Sequence, residues 1–205
     1  MRGFLFLAIM KFLRKTKYYE GVVYEWNLPS GFTCPFALEC LVKVDRHTGK
    51  FDNRSGSYRC YSAMQERFPA VRNHRWVNFD YVRDGGVPVL PKKAKAVRIH
   101  MSGDFYSQEY FDTWLRICEE NPTVEFWAYT KSLTYWVNRL NDIPENLVLT
   151  ASRGGRNDRF IDIHGLKNVE VIRYKHQAKG RPIDTCDDQA RIPNVNFCLM
   201  DNFAK

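Results

Sequence analysis

The stretch AVRIHMSGDFYSQEYFDTWLRICEENPTVEFWAY, residues 96–129, decides the fold. Residues 96–100 (AVRIH) read as a short strand, residues 107–120 (SQEYFDTWLRICEE) carry apolar side chains at helical spacing, and residues 124–129 (VEFWAY) read as a second strand. Ser107 is placed to cap the helix, Glu109 stands in its first turn, and Asn121-Pro122 close it. This is a β-α-β unit. The pattern continues downstream with a helix at 134–140, a strand at 146–151 (NLVLTA), a turn or short helix at 161–165 and a strand at 169–174 (VEVIRY). Strands alternating with helices predict an α/β fold with a largely parallel sheet, either open or a partial (β/α) barrel. Ligands of such sheets lie at the carboxyl ends of the strands.

Upstream of this core, residues 18–26 (YYEGVVYEW) read as a first strand, broken by Asn27-Leu28-Pro29-Ser30-Gly31. Residues 33–60 follow as an irregular excursion or small hairpin that carries three cysteines. Residues 62–73 look helical up to Pro69, and 76–83 extend that helix to Asp84-Gly85-Gly86. No linker, exact repeat or low-complexity tract divides the chain, so residues 1–205 are expected to form a single domain.

The composition, 44% hydrophobic and 15% aromatic, excludes a disordered chain. Lys and Arg number 31 against 23 Asp and Glu, a net charge of +8 that favours anionic partners; the basic residues are spread along the chain, as on an ordinary solvated surface. The opening run MRGFLFLAIM resembles the apolar part of a signal peptide, yet no small-residue cleavage site follows it. It also falls far short of the roughly 20 residues that span a bilayer. The natural start is Met1 or Met10, and the expectation is a cytoplasmic protein with no membrane contact. Six cysteines could pair as disulfides, but a chain of this length does not need that framework.

Cys34 and Cys40 are separated by five residues, and Cys40 and Cys60 by nineteen. Loop thiolates gathered after a strand can hold an iron–sulfur cluster, which imposes no single spacing. Zinc is the alternative, although its familiar sites use ligand pairs two to four residues apart. Cys198, in the apolar setting Phe197, Leu199 and Met200, is the expected fourth ligand, with Cys186 or an exogenous group as alternatives; Cys118 belongs to the helix core. Polar residues recur after the strands. Ser102, Gly103 and Asp104 follow the first, Lys131 the second and Ser152 the third; these are the candidate cofactor-binding positions, and Gly154-Gly155 between Arg153 and Arg156 suit an anion-binding loop or a plain turn. Each is also a natural cap or turn residue. His100 could act as an acid or base, or be a hydrogen-bonded core histidine.

Thr33-Cys34-Pro35 through Cys40, Cys60-Tyr61, residues 98–105 (RIHMSGDF) and 126–132 (FWAYTKS) resemble a phage-associated family called gene product 88-like. The layout is also similar to radical S-adenosylmethionine enzymes, in which a loop after the first strand of a partial barrel carries three cysteines and later strand ends hold the cofactor. That resemblance implies a [4Fe-4S] cluster and, at Ser102-Gly103-Asp104, a contact for the methionine amino group of S-adenosylmethionine. The cysteine spacing here differs from the compact trio of that class. The expected function is a phage-type iron–sulfur cluster-binding protein, a degenerate radical-type or redox enzyme. The alternative is a non-enzymatic protein with a structural metal that binds nucleic acid or a host protein, using Arg153, Arg156, Arg159 and Lys175.

Overall fold

The computed structural model describes residues 12–15, 22–52 and 60–201. Both candidate starts and the first residues of the predicted strand at 18–26 lie outside them. In chain order the elements are β1 (Leu13–Lys15), β2 (Val23–Trp26), β3 (Lys43–Val44), β4 (Phe51–Asp52), α1 (Tyr61–Gln65), α2 (Pro69–Arg83), β5 (Ala96–Ile99), α3 (Gln108–Glu120) and β6 (Glu125–Thr130). These are followed by α4 (Leu133–Val137), β7 (Leu147–Ser152), α5 (Arg159–His164), β8 (Asn168–Ile172), a 3-10 turn (Lys175–Ala178), β9 (Ile183–Asp184), α6 (Asp188–Arg191) and β10 (Phe197–Met200).

The main sheet has the order β1-β2-β5-β6-β7-β8-β10-β9. Strands β2 onward are all parallel and curl into a seven-strand half-barrel; β1 adds antiparallel to β2 at the edge. The mixed α/β class and partial-barrel sheet expected from the alternation are therefore present. β3 and β4 form the small hairpin of the cysteine excursion, which together with α1 and α2 makes the long connection from β2 to β5.

Period-two alternation along each strand separates two faces. Trp26, Ile99, Ala128 and Leu149 lie in one register row on the convex side, packed with Phe111, Trp114 and Ile161. Val23, Ala96, Trp127, Val169 and Phe197 face the concave side, where Ala190 of α6 packs on them. The amphipathic face of α3 buries Tyr110, Phe111, Trp114, Leu115, Ile117 and Cys118. Each large apolar side chain so buried contributes roughly 1.5–3 kcal/mol. Ser107 caps this helix as expected, its hydroxyl accepting from the Tyr110 amide at 3.2 Å.

Two elements depart from the sequence reading. Pro69 does not end a helix but starts one, at the first-turn position where its missing N–H costs nothing. The C-terminal segment is not a loop returning to the cysteines: β10 inserts between β8 and β9, and Cys198 is a strand residue.

Candidate metal centre

Beyond β2, the chain stays tied to the end of β5. The Leu28 amide donates to the Ser102 carbonyl at 2.9 Å, and the Ser102 amide to Asn27 Oδ1 at 3.2 Å. Gly31, at φ 71°, turns the chain where a Cβ would stand 2.3 Å from the Val42 carbonyl oxygen. The loop then crosses to the end of β7. Ala37 bridges Gly155, the Leu38 and Glu39 amides donate to the Gly154 carbonyl, and the Arg156 amide donates to the Phe36 carbonyl at 2.8 Å. The segment holding Cys34 and Cys40 is thus an arch pinned beyond β5 at one foot and beyond β7 at the other. β6, between them in the sheet, ends beneath it. Cys60 enters as the residue preceding α1, where the Tyr61 hydroxyl donates to the Met101 carbonyl at 3.0 Å.

The three thiols share one neighbourhood. Burial, Asp104, Cys60 and Cys40 all push the Cys34 thiol well above its ordinary range. Burial likewise pushes Cys40 up to about 11; the Lys131 ammonium pulls it down, while Cys60 and Asp104 add to the rise. Thiolates that destabilise one another in this way are relieved by a multiply charged cation, and its binding releases their protons. Three thiols are a soft donor set of the kind that sulfur-ligated metals take. Among the described residues no three His, Cys, Asp or Glu side chains are grouped to hold one metal ion. All six cysteines are free thiols.

Cys60 is held by a buried polar chain. Its sulfur lies 3.1 Å from Ser62 Oγ, which lies 3.0 Å from Ser30 Oγ, which lies 2.9 Å from Ser102 Oγ. The chain ends at Glu66, whose Oε1 accepts from the Ser30 amide at 2.8 Å and from Arg75 at 2.9 Å. Both partners of that ion pair are buried.

The candidate cofactor positions sit where expected, at the strand ends, but their polar atoms are largely committed to one another. Ser102 belongs to the serine chain. Gly103, at φ 85°, allows close packing, since a Cβ there would stand 2.6 Å from Thr33 Oγ1. Asp104 accepts from the Phe105 amide, Thr130 Oγ1 and the Lys131 amide at 2.8, 2.6 and 2.8 Å. Burial outweighs these three donors and pushes its carboxyl up to about 6. Lys131 Nζ donates to the Ser152 carbonyl, Ser152 Oγ and the Arg153 carbonyl, joining the ends of β6 and β7. His100 is the core histidine: Nε2 lies 2.9 Å from the Tyr110 hydroxyl, and burial lowers its pKa to about 3.

Cys198 does not join the trio. Five steps along the sheet from β2, it is buried with Ile172, Ala178, Ile183 and Met200. The apolar setting read from its neighbours is real, but it is a packing environment. Cys186 is exposed, its thiol 2.9 Å from Asp188 Oδ2. Of the basic residues considered for nucleic acid, Arg153 is engaged by Asn168 and Asp162, whereas Arg156, Arg159 and Lys175 are exposed. Among the described residues no helix is long and apolar enough to cross a membrane.

The concave face carries groups to which the sequence reading gave no role: Glu25, Arg98 and Tyr129 on β2, β5 and β6, with Tyr61 and Asp187 against them. The available signal was a charged residue at an alternating position inside an apolar strand.

The sequence model of the Gene product 88 family matches residues 10–201. The chain is 30% identical over 207 aligned residues to the Gene 88 protein of Mycobacterium phage L5, covering 90% of this chain and 76% of that protein. It is 29% identical over 133 residues to the Gene 88 protein of Mycobacterium phage D29, covering 56% of this chain and 50% of the relative. No solved structure matches. With the arch, the cysteine trio and the strand-end motifs all inside the matched span, the chain belongs to the Gene product 88 family.

Proposed function

We propose that Cys34, Cys40 and Cys60 hold a [4Fe-4S] cluster over the carboxyl ends of β5 and β6. Three irons would take thiolates, and the fourth would stay open for S-adenosylmethionine. The feature that carries this reading is the placing of Cys34, Cys40 and Cys60 in one neighbourhood with Asp104 and Lys131, at the carboxyl ends of a parallel half-barrel. The placement of Cys198 in a separate apolar cluster supports the open iron. A cluster held this way would supply a one-electron centre. The protein's own contribution is positional and electrostatic: the Lys131 charge favours thiolate at Cys40, Ser62 lies within hydrogen-bonding reach of the Cys60 sulfur, and the Glu66–Arg75 pair holds that serine chain in place.

Anaerobic reconstitution with iron and sulfide tests the proposal, followed by iron, sulfide and zinc analysis and electron paramagnetic resonance of the reduced protein. About four irons per chain are expected, lost in Cys34→Ala, Cys40→Ala and Cys60→Ala and kept in Cys198→Ala. The signal should change on adding S-adenosylmethionine. An iron-free protein that takes up zinc would overturn the cluster and favour a structural metal. Loss of iron in Cys198→Ala would overturn the open iron.

A further inference from the structure

The concave face of the half-barrel is apolar at Val23, Ala96, Trp127, Val169 and Phe197, yet a guanidinium sits among these residues. Arg98 stands beside Trp127 in register, and its side chain is 11% exposed. An isolated charge in such a place is costly unless it is paired. One of its partners comes from the far end of the chain. Asp187 gives one carboxylate oxygen to Arg98 at 2.6 Å and the other to the Tyr129 hydroxyl at 2.9 Å, while the guanidinium lies over the Tyr129 ring, 5.1 Å from its centre. The Tyr61 hydroxyl, on the residue after Cys60, lies 3.5 Å from the same guanidinium. Thr150, beside Tyr129 in register and fully buried, has a hydroxyl with no hydrogen-bond partner among the described residues. Leu149 and Ala151 belong to the convex core, so the alternation of β7 turns Thr150 toward the concave side.

We propose that Arg98 and Tyr129, with Tyr61 and Thr150 beside them, form a site for the oxyanion of a small ligand, a carboxylate or a phosphate, and that the Asp187 carboxylate is its built-in stand-in. Arg98 supplies the charge and the forked donors suited to either group, and Tyr129 supplies a second donor. Asp187 is not alone in fastening its own segment. Lys167 Nζ donates to the carbonyls of Gln189, Ala190 and Ile192, each at 2.8 Å; Arg191 grips both oxygens of Glu125; and Asp184 Oδ2 accepts from the Gln189 amide. The Asp187 side chain can therefore leave Arg98 while α6 stays in place. Asp187 also adopts φ 64°, a left-handed conformation uncommon for residues other than glycine. Glu25 lies next to Arg98 on β2, and its Oε2 accepts from Asn27 Nδ2. The site is independent of the metal proposal.

Isothermal titration of the metal-free full chain with inorganic phosphate and with acetate tests the assignment. Asp187→Ala should bind one of the two anions at least tenfold more tightly than the unaltered protein, and adding Tyr129→Phe should reverse most of that gain. The tighter anion names the ligand class, phosphoryl or carboxyl. If Asp187→Ala fails to fold by circular dichroism, Asp187→Asn removes the charge with little change of shape and should show the same gain. A folded Asp187 variant with no gain for either anion would overturn the proposal, as would a gain indifferent to Tyr129→Phe.

Discussion

The metal-free protein should keep Cys40 as a thiol far into the alkaline range. Its pKa of about 11, against an ordinary 9.0, comes first from burial, with Cys60 and Asp104 adding to the rise and Lys131 opposing it. Two units lower the thiolate fraction near pH 8 by about 100-fold, because only the thiolate attacks. A more basic thiolate is also a better nucleophile, by a factor of roughly 6–10 for two units at a Brønsted slope of 0.4–0.5. The net expectation is a reaction with a small disulfide reagent about tenfold slower than that of a free thiol. Peptide-resolved mass spectrometry across pH 7–11 measures this, and the midpoint of the profile is insensitive to access. The consequence for function is a metal uptake that strengthens as pH rises, since each ligand must shed its proton. A Cys40 midpoint near 9 would refute the argument that the arch buries these thiols against one another.

Three further outcomes follow from the supports of the site. Arg75→Met should cost about 3–5 kcal/mol in urea unfolding, because it leaves the fully buried Glu66 carboxylate without its countercharge; a loss under about 1 kcal/mol would contradict the network. Asp104, raised from 3.8 to about 6, holds its proton more tightly folded than unfolded, so its contribution is full below pH 3.8 and is lost as pH rises through 6. The stability of the unaltered protein minus that of Asp104→Asn should fall by about 3 kcal/mol between pH 3.5 and 7.5, and a difference independent of pH would exclude the shift. Gly103→Ala, forced to φ 85° with its methyl against Thr33 and Leu28, should destabilise by roughly 1–3 kcal/mol and lower the iron taken up on reconstitution; an unchanged melting temperature would show that the contact yields.

The second half of the chain was legible because local signals agree there. Ser107 caps α3, the apolar positions of that helix repeat at helical spacing, and β5 and β6 flank it as apolar runs. The tail was not legible, because β9 and β10 are two and four residues long, and β10 is specified by pairing with β8 rather than by its own pattern. Cys198 was therefore read by its neighbours as a shielded ligand, when the same apolar neighbours are what a central strand needs. The cluster of Glu25, Arg98, Tyr129 and Asp187 escaped for a different reason. Three of its members are single polar positions in otherwise buried strands, and the fourth arrives from the far end of the chain.

The wide spacing of the cysteines looks unsuited to one centre only if the loop itself must fold back on its own ligands. Here the sheet brings their segments into one neighbourhood. The Cys34 end of the arch is pinned through Asn27 and Leu28 to Ser102, and the Cys40 end through residues 36–39 to residues 154–156. Cys60 is brought in by α1 and by the serines that lead to Glu66. Gly154 is the hinge of this arrangement: its carbonyl accepts two amides of the arch, and at φ 91° a Cβ would strike the Glu39 carboxylate at 2.6 Å. Residues read as an anion-binding loop thus serve as the footing of the cysteine arch. It follows that the geometry of the trio depends on the carboxyl ends of β5 and β7 as much as on the cysteine segment. A substitution at Gly154, far from any thiol in the sequence, would disturb Cys40 before it disturbed the sheet.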